Sequence, residues 1–220
     1  MIFYTIIYFV VCNWIQIIYL LGNILKPKQK ILTLNNKELI SKYKIKTGLT
    51  LSIKIINEER LMIGFMISSP PFKPIMIFSS KLYQAFNKDE MDWVILHESG
   101  HYLMWHNYKL AFTQLTVFLA GILLYVYIKH MQIFFLFVFG MLLPIFYFQL
   151  AKIFEYQADY YAVAHMNNPK GMITGNIKMK EVNSKKLETN PIFKKLFVIA
   201  VSYEERIKMA KKEIKLRKLN

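Results

Sequence analysis

Two apolar runs, 110–128 and 131–151, stand back to back with only Lys129 and His130 between them. Each is near twenty residues, long enough as a helix, at about 1.5 Å per residue, to cross a hydrocarbon core. Joined so closely, they must form an antiparallel hairpin, so the chain leaves and returns on one side. Neither run has the polar face of a helix in a soluble bundle, and a helix-interior Pro144 is tolerable in a membrane span. The hairpin therefore brings whatever precedes residue 110 to whatever follows residue 151.

The rest of the chain agrees with a bilayer setting. Of its 220 residues, 55% are hydrophobic and 15% aromatic, which is rich for a soluble globule. Residues Ile2 to Leu25 form a further apolar run, expected to be a retained anchor, since no basic segment precedes it and no small-x-small cleavage site follows. Lys26, Lys28 and Lys30 come next, with Lys37, Lys42, Lys44 and Lys46 behind them. Their positive charge places the N-terminus outside and the following domain in the cytoplasm. The single cysteine, Cys12, can make no internal disulfide. The net charge of +15 admits nucleic acid or anionic lipid as a partner. No nucleic-acid motif, phosphate-binding glycine loop or internal repeat is present, so lipid is the simpler partner and no nucleic acid is expected.

Before the hairpin stands Trp93-Val94-Ile95-Leu96-His97-Glu98-Ser99-Gly100-His101, a helical pattern containing His-Glu-x-x-His. On a helix, His97 and His101 differ by about 40° and leave the same face, where both imidazoles can grip one tetrahedral metal ion. Glu98 beside them is placed to act as general base toward a metal-activated water. A catalytic zinc needs a third protein ligand. His106 lies about 180° round a continuous helix from His97, and the longer three-histidine pattern fails at Asn107. After the hairpin, Glu155 and Asp159 share a helical face. Glu155 is expected to bind the metal, with Asp159 holding the ring N–H of a ligand histidine; His165 is the alternative third ligand. The pattern implies one zinc ion per chain.

His97-Glu98-Ser99-Gly100-His101, followed by Glu155-x-x-x-Asp159 with Ala158 and Ala162 flanking the Asp, resembles the HtpX and CAAX prenyl protease family of integral-membrane zinc metallopeptidases, which are gluzincins. The resemblance runs from about Ile63 to Ile207, and includes Ile75 to Leu82, Asp89 to Leu96, and Glu204-Glu205-Arg206-Ile207. Members often carry His-Pro shortly before Glu-Arg-Ile, where this chain has Val201-Ser202-Tyr203. If that histidine stabilises the transition state, the resemblance leaves Tyr203 or Arg206 to do so here.

The expected fold is a mostly α membrane protein with a small α+β cytoplasmic metallopeptidase domain and a transmembrane hairpin inserted before the third-ligand helix. Its parts are an anchor (1–25), a cytoplasmic α+β part with the zinc helix (26–109), the hairpin (110–151), and a cytoplasmic helical part (152–220). In the α+β part, Asn35 is expected to cap a helix through Tyr43. Strands follow at Leu49–Ile55, Leu61–Ile67 and Ile75–Phe78, and Ser79 or Ser80 starts a short helix through Phe86. An edge of that sheet can hold an extended peptide. Lys178 to Leu187 is expected to be helical. The end of the chain reads as a basic amphipathic helix, its first half packed and its tail on anionic lipid. The expected function is a membrane-bound zinc metalloendopeptidase cleaving membrane or misfolded proteins at the cytoplasmic face of the cell membrane. The alternative is a non-catalytic membrane sensor or scaffold with a structural zinc.

Overall fold

A computed structural model describes residues 31–34, 37–127, 143–183 and 201–218. The N-terminal part is a four-stranded mixed sheet made by β1 (Ile31–Leu34), β2 (Ser52–Ile56), β3 (Gly64–Met66) and β4 (Ile75–Ser79). Their order is β1-β2-β4-β3, with β2 parallel to β4 and both outer pairs antiparallel. Met76 to Ser79 are buried, as a central strand covered on both faces requires. The three expected strands are present; β1 was not expected. The expected cap at Asn35 lies outside the described residues, but its helix is there as α1 (Lys37–Thr47).

Ser79 caps the short helix α2 (Ser80–Ala85), accepting from the backbone N–H of Leu82. Asn87 then opens the long helix α3 (Lys88–Leu103) with a full capping box: its side chain accepts from the N–H groups of Asp89 and Glu90, and the Glu90 carboxylate accepts from the N–H of Asn87. Such a cap contributes about 1 kcal/mol and fixes where the helix starts. From Glu90 to Leu96 every residue of α3 is buried, so this helix runs through the middle of the protein, not along its surface. Its buried acids are matched. Asp92 accepts from Tyr43 at 2.7 Å and Lys46 at 2.7 Å, and pairs with Lys42 at 3.0 Å. Glu90 pairs with Lys178 at 2.7 Å.

Two residues, Met104 and Trp105, end α3, and Trp105 takes a left-handed backbone with φ 59°. The chain turns there and continues as α4 (His106–Tyr127). It returns as α5 (Leu143–His165), which packs on both α3 and α4. A further helix, α6 (Lys170–Asn183), starts earlier than the expected 178. Last comes α7 (Tyr203–Arg217), opened by a capping box from Ser202 and Glu205. Arg217 donates to the carbonyls of Val163, Ala164 and Met166 at 2.8, 3.0 and 2.7 Å, so the far end of α7 is fastened to the last turn of α5. One core runs from Tyr43 through Ile95 and Leu96 to Ala210.

Among the described residues, no helix is long and apolar enough to cross a membrane. The expected anchor at 2–25 lies outside them, as does the close of the hairpin at 128–142. What is described of the two arms carries Thr113, Gln114 and Thr116 in α4, and Gln149 in α5.

Candidate metal centre

Gly100 is what lets α3 and α5 meet. A Cβ there would stand 3.2 Å from the Cα of Ala158 and 3.2 Å from the ring of Tyr161, a tight contact that any side chain could make only by pushing a neighbour back by a few tenths of an ångström. One turn either side of that crossing, the functional side chains converge. Nε2 of His97 and Nε2 of His101 stand 3.2 Å apart; Glu155 places Oε2 3.5 Å from the first and Oε1 3.2 Å from the second. Ligands about 2.0–2.1 Å from a tetrahedral zinc are separated by about 3.3–3.4 Å. The two imidazole nitrogens and the two oxygens of the one carboxylate stand close to that spacing, and the donor set of two imidazoles and a carboxylate suits zinc. Among the described residues, these are the ones that group as possible metal ligands.

The partners behind the ligands agree. His97 Nδ1 donates to Asp159 Oδ1 at 2.8 Å, leaving Nε2 bare toward the other donors. Asp159 is fully buried and also accepts from Arg206 Nε at 2.7 Å and from the Trp93 indole at 3.4 Å. Arg206 reaches Glu155 Oε2 through Nη2 at 3.1 Å, and its guanidinium lies over the Trp93 ring. Burial alone would lower the pKa of His97, but Asp159 and Glu155 outweigh it and push the imidazole up to about 10. Burial would likewise raise Glu155 and Asp159, yet the histidines, with Arg206 beside Asp159, hold both carboxyls below their ordinary range. Two carboxylates around one imidazole call for positive charge at this point, which a bound cation would supply.

Glu98 is the neighbour of this group, not a member of it. Its Oε2 accepts the backbone N–H of Met66, on the edge strand β3, at 3.1 Å. Burial raises its pKa; His97 and His101 oppose the rise without cancelling it.

His106 was rejected as a ligand because a continuous helix would carry it to the far side. The structure agrees that it is not one, for a different reason. The helix ends at Leu103, and the turn at Trp105 swings His106 back under the site, where its Nδ1 lies 2.9 Å from Nδ1 of His101. It is fully buried, stacked on Phe154, with Nε2 3.0 Å from Oε1 of Gln157. Burial, with His101 nearby, lowers its pKa to about 4, so the ring is neutral at pH 7. Neither Gln157 nor the amide of Met66 was foreseen, and no glycine or proline announces the turn at 104–105. His165 does not join the ligands: it is exposed, stacked on Tyr161, with Nδ1 2.8 Å from the Tyr161 carbonyl. Tyr203 is the first residue of α7, one turn before Arg206.

A buried helix carrying His-Glu-x-x-His is met here by a glutamate from a second helix, and together they form a candidate metal centre. The chain belongs to peptidase family M48, whose sequence model matches residues 35–211. The HtpX and CAAX prenyl proteases that the sequence resembles belong to the same family. Among solved structures, the crystal structure of S. mikatae Ste24p is similar, with a TM-score of 0.65 and 18% identity. The likeness covers 94% of this chain but 56% of that one, so the chain spans little more than half the length of this relative. None of the curated proteins matches the chain significantly.

Proposed function

We propose that this chain is a membrane-bound zinc metalloendopeptidase that hydrolyses peptide bonds of membrane or misfolded proteins at the cytoplasmic face. The observation that carries the reading is the donor triangle of His97, His101 and Glu155, with a carboxylate beside it that is not itself a ligand. A zinc ion held there supplies a Lewis acid that makes a water acidic near neutral pH and polarises a carbonyl. Glu98 takes the proton of the attacking water and later hands it to the leaving amine. The Met66 amide aims that carboxylate, and burial raises its affinity for a proton toward the range where both transfers work. An extended substrate lies along the free edge of β3, next to Glu98, held by main-chain hydrogen bonds.

Arg206 is occupied with Asp159 and Glu155, so we assign it to holding these carboxylates. Tyr203 is the remaining hydroxyl for the developing oxyanion. Membrane attachment is supported by the row Phe112, Leu115, Leu119 and Leu123 along α4, which is 70, 51, 50 and 60% exposed. Apolar residues at that spacing form one helix face turned outward, which suits lipid better than water. The exposed lysines of α7, at 208, 211, 212, 215 and 218, supply the charge for anionic lipid.

The test is metal analysis of purified protein together with cleavage of an unfolded substrate by wild type and Glu98→Gln. The glutamine keeps size and hydrogen-bonding shape but cannot take the proton. It is expected to keep its metal and fold while losing cleavage by at least about a hundredfold. A Glu98→Gln protein that cleaves near the wild-type rate ends this mechanism.

A further inference from the structure

His106 and Gln157 supply no donor to the triangle, yet they form a hydrogen-bonded line that ends on it. We propose that His106, itself fixed by Gln157, is a positioning residue that holds His101 in its metal-binding tautomer. This rests on reading His97, His101 and Glu155 as a metal centre.

An imidazole that binds metal through Nε2 must carry its one proton on Nδ1. Nδ1 of His101 faces Nδ1 of His106 at 2.9 Å. Two ring nitrogens facing at that distance share one proton, so one donates and the other accepts. The choice is made at the far end of the line. His106 Nε2 lies 3.0 Å from Gln157 Oε1, an oxygen that only accepts. The proton of His106 therefore sits on Nε2, its Nδ1 is a bare acceptor, and the proton between the rings belongs to His101. That leaves Nε2 of His101 bare, toward Nε2 of His97 and Oε1 of Glu155, each 3.2 Å away. Asp159 makes the same selection for His97 with a full charge. Here it is made by neutral groups, and the left-handed turn at Trp105 is what brings them into line.

The alternative is that His106 merely fills space, since it is fully buried against Phe154 with the rings 4.5 Å apart and nearly parallel at 6°. Two substitutions separate these roles. His106→Phe keeps an aromatic ring for the stack but removes both nitrogens. His106→Asn loses the ring but keeps an oxygen near the place of Nδ1. Under a packing role phenylalanine is the milder change; under positioning asparagine is.

The measurements are zinc affinity, by competition with a chromophoric chelator, and the visible absorption of the Co(II)-substituted protein. His106→Phe is expected to weaken zinc by about tenfold to a hundredfold, the usual cost of losing a partner behind a ligand, and to shift the Co(II) bands. His106→Asn is expected to stay closer to wild type on both. Gln157 is exposed, so Gln157→Met spares the core and is expected to weaken zinc with no change in the melting temperature of the metal-free protein. Wild-type affinity in His106→Phe, or His106→Asn no better than His106→Phe, overturns the proposal; so does wild-type affinity in Gln157→Met should His106→Phe not fold. If wild type itself shows no zinc binding that depends on His97 and Glu155, it is the metal centre that fails and not the line behind it.

Discussion

Asp159 accepts from three donors on two different elements: His97 and the indole of Trp93 on α3, and Arg206 on α7. Glu155, one turn earlier, has its oxygens directed at the two ligand imidazoles. The two acids are thus different in kind, and substitution separates them. Glu155→Ala removes a donor atom and is expected to abolish most metal binding. Asp159→Ala leaves all three donors and is expected to weaken binding by about tenfold to a hundredfold. Metal content after dialysis against a weak chelator checks both, and full metal in Glu155→Ala together with loss in His165→Ala would reverse the assignment. Away from the site, Asp92 makes a pH-dependent contribution. Burial raises its pKa, but Lys46, Tyr43 and Lys42 together outweigh that and hold the carboxyl below its ordinary value. A carboxyl depressed in the folded state adds stability above its unfolded pKa of about 3.9, and that stability is lost as pH falls through the lower folded value. The difference in unfolding free energy between wild type and Asp92→Asn is therefore expected to be full at pH 6 and to shrink below about pH 4. Denaturant titrations at several pH values measure it, and a gap that is constant with pH would refute the linkage.

At the scale of elements, the crossing of α3 over α5 is the contact on which the site depends. A side chain at Gly100 must displace Ala158 or Tyr161. Gly100→Val is expected to cost about 1–3 kcal/mol through overpacking and, because it parts the helices that carry the donors, to weaken zinc as well. A variant with lowered melting temperature but unchanged zinc affinity would show that the helices separate elsewhere. This element was largely legible beforehand. His97 and His101 share a face by periodicity alone, and the spacing of Glu155 and Asp159 announced a second helix. The helix start at Ser79 or Ser80 was legible too, since it needs only local chemistry. What could not be read was the end of α3. Met104 and Trp105 are ordinary residues in a helix, and the left-handed turn there goes with the burial of His106 against Phe154, a residue far along the chain. The line from His101 to Gln157 was therefore invisible to an argument from helical spacing. β1 was missed for a similar reason: Ile31–Leu34 is short and gains its strand only by pairing with β2.

At the scale of the whole molecule, the order of the chain sets the topology that remains to be tested. The donors His97 and His101 precede the apolar pair of runs and Glu155 follows it, and they meet at one place. Such a meeting requires that the intervening chain leave and return on the same side. With the lysines behind residue 25, this leads to an expected three spans, N-terminus outside and C-terminus inside. Single cysteines placed at 42 and 185 in a chain lacking Cys12 are expected to resist impermeant thiol reagents in intact cells and to react after lysis. Labelling of both before lysis would refute that arrangement.

The seam at Gly100 and Ala158 has a consequence for how such a chain can change over generations. The register of the site is set where two backbones touch, at positions 100 and 158, outside the two apolar runs. The length and surface of those runs are therefore expected to tolerate drift, or exchange by an engineer for another hairpin, while the centre keeps its spacing, provided the ends come back to the same crossing. Selection is thus free to retune where and against what the hairpin sits without reopening the question of how the chemistry is done.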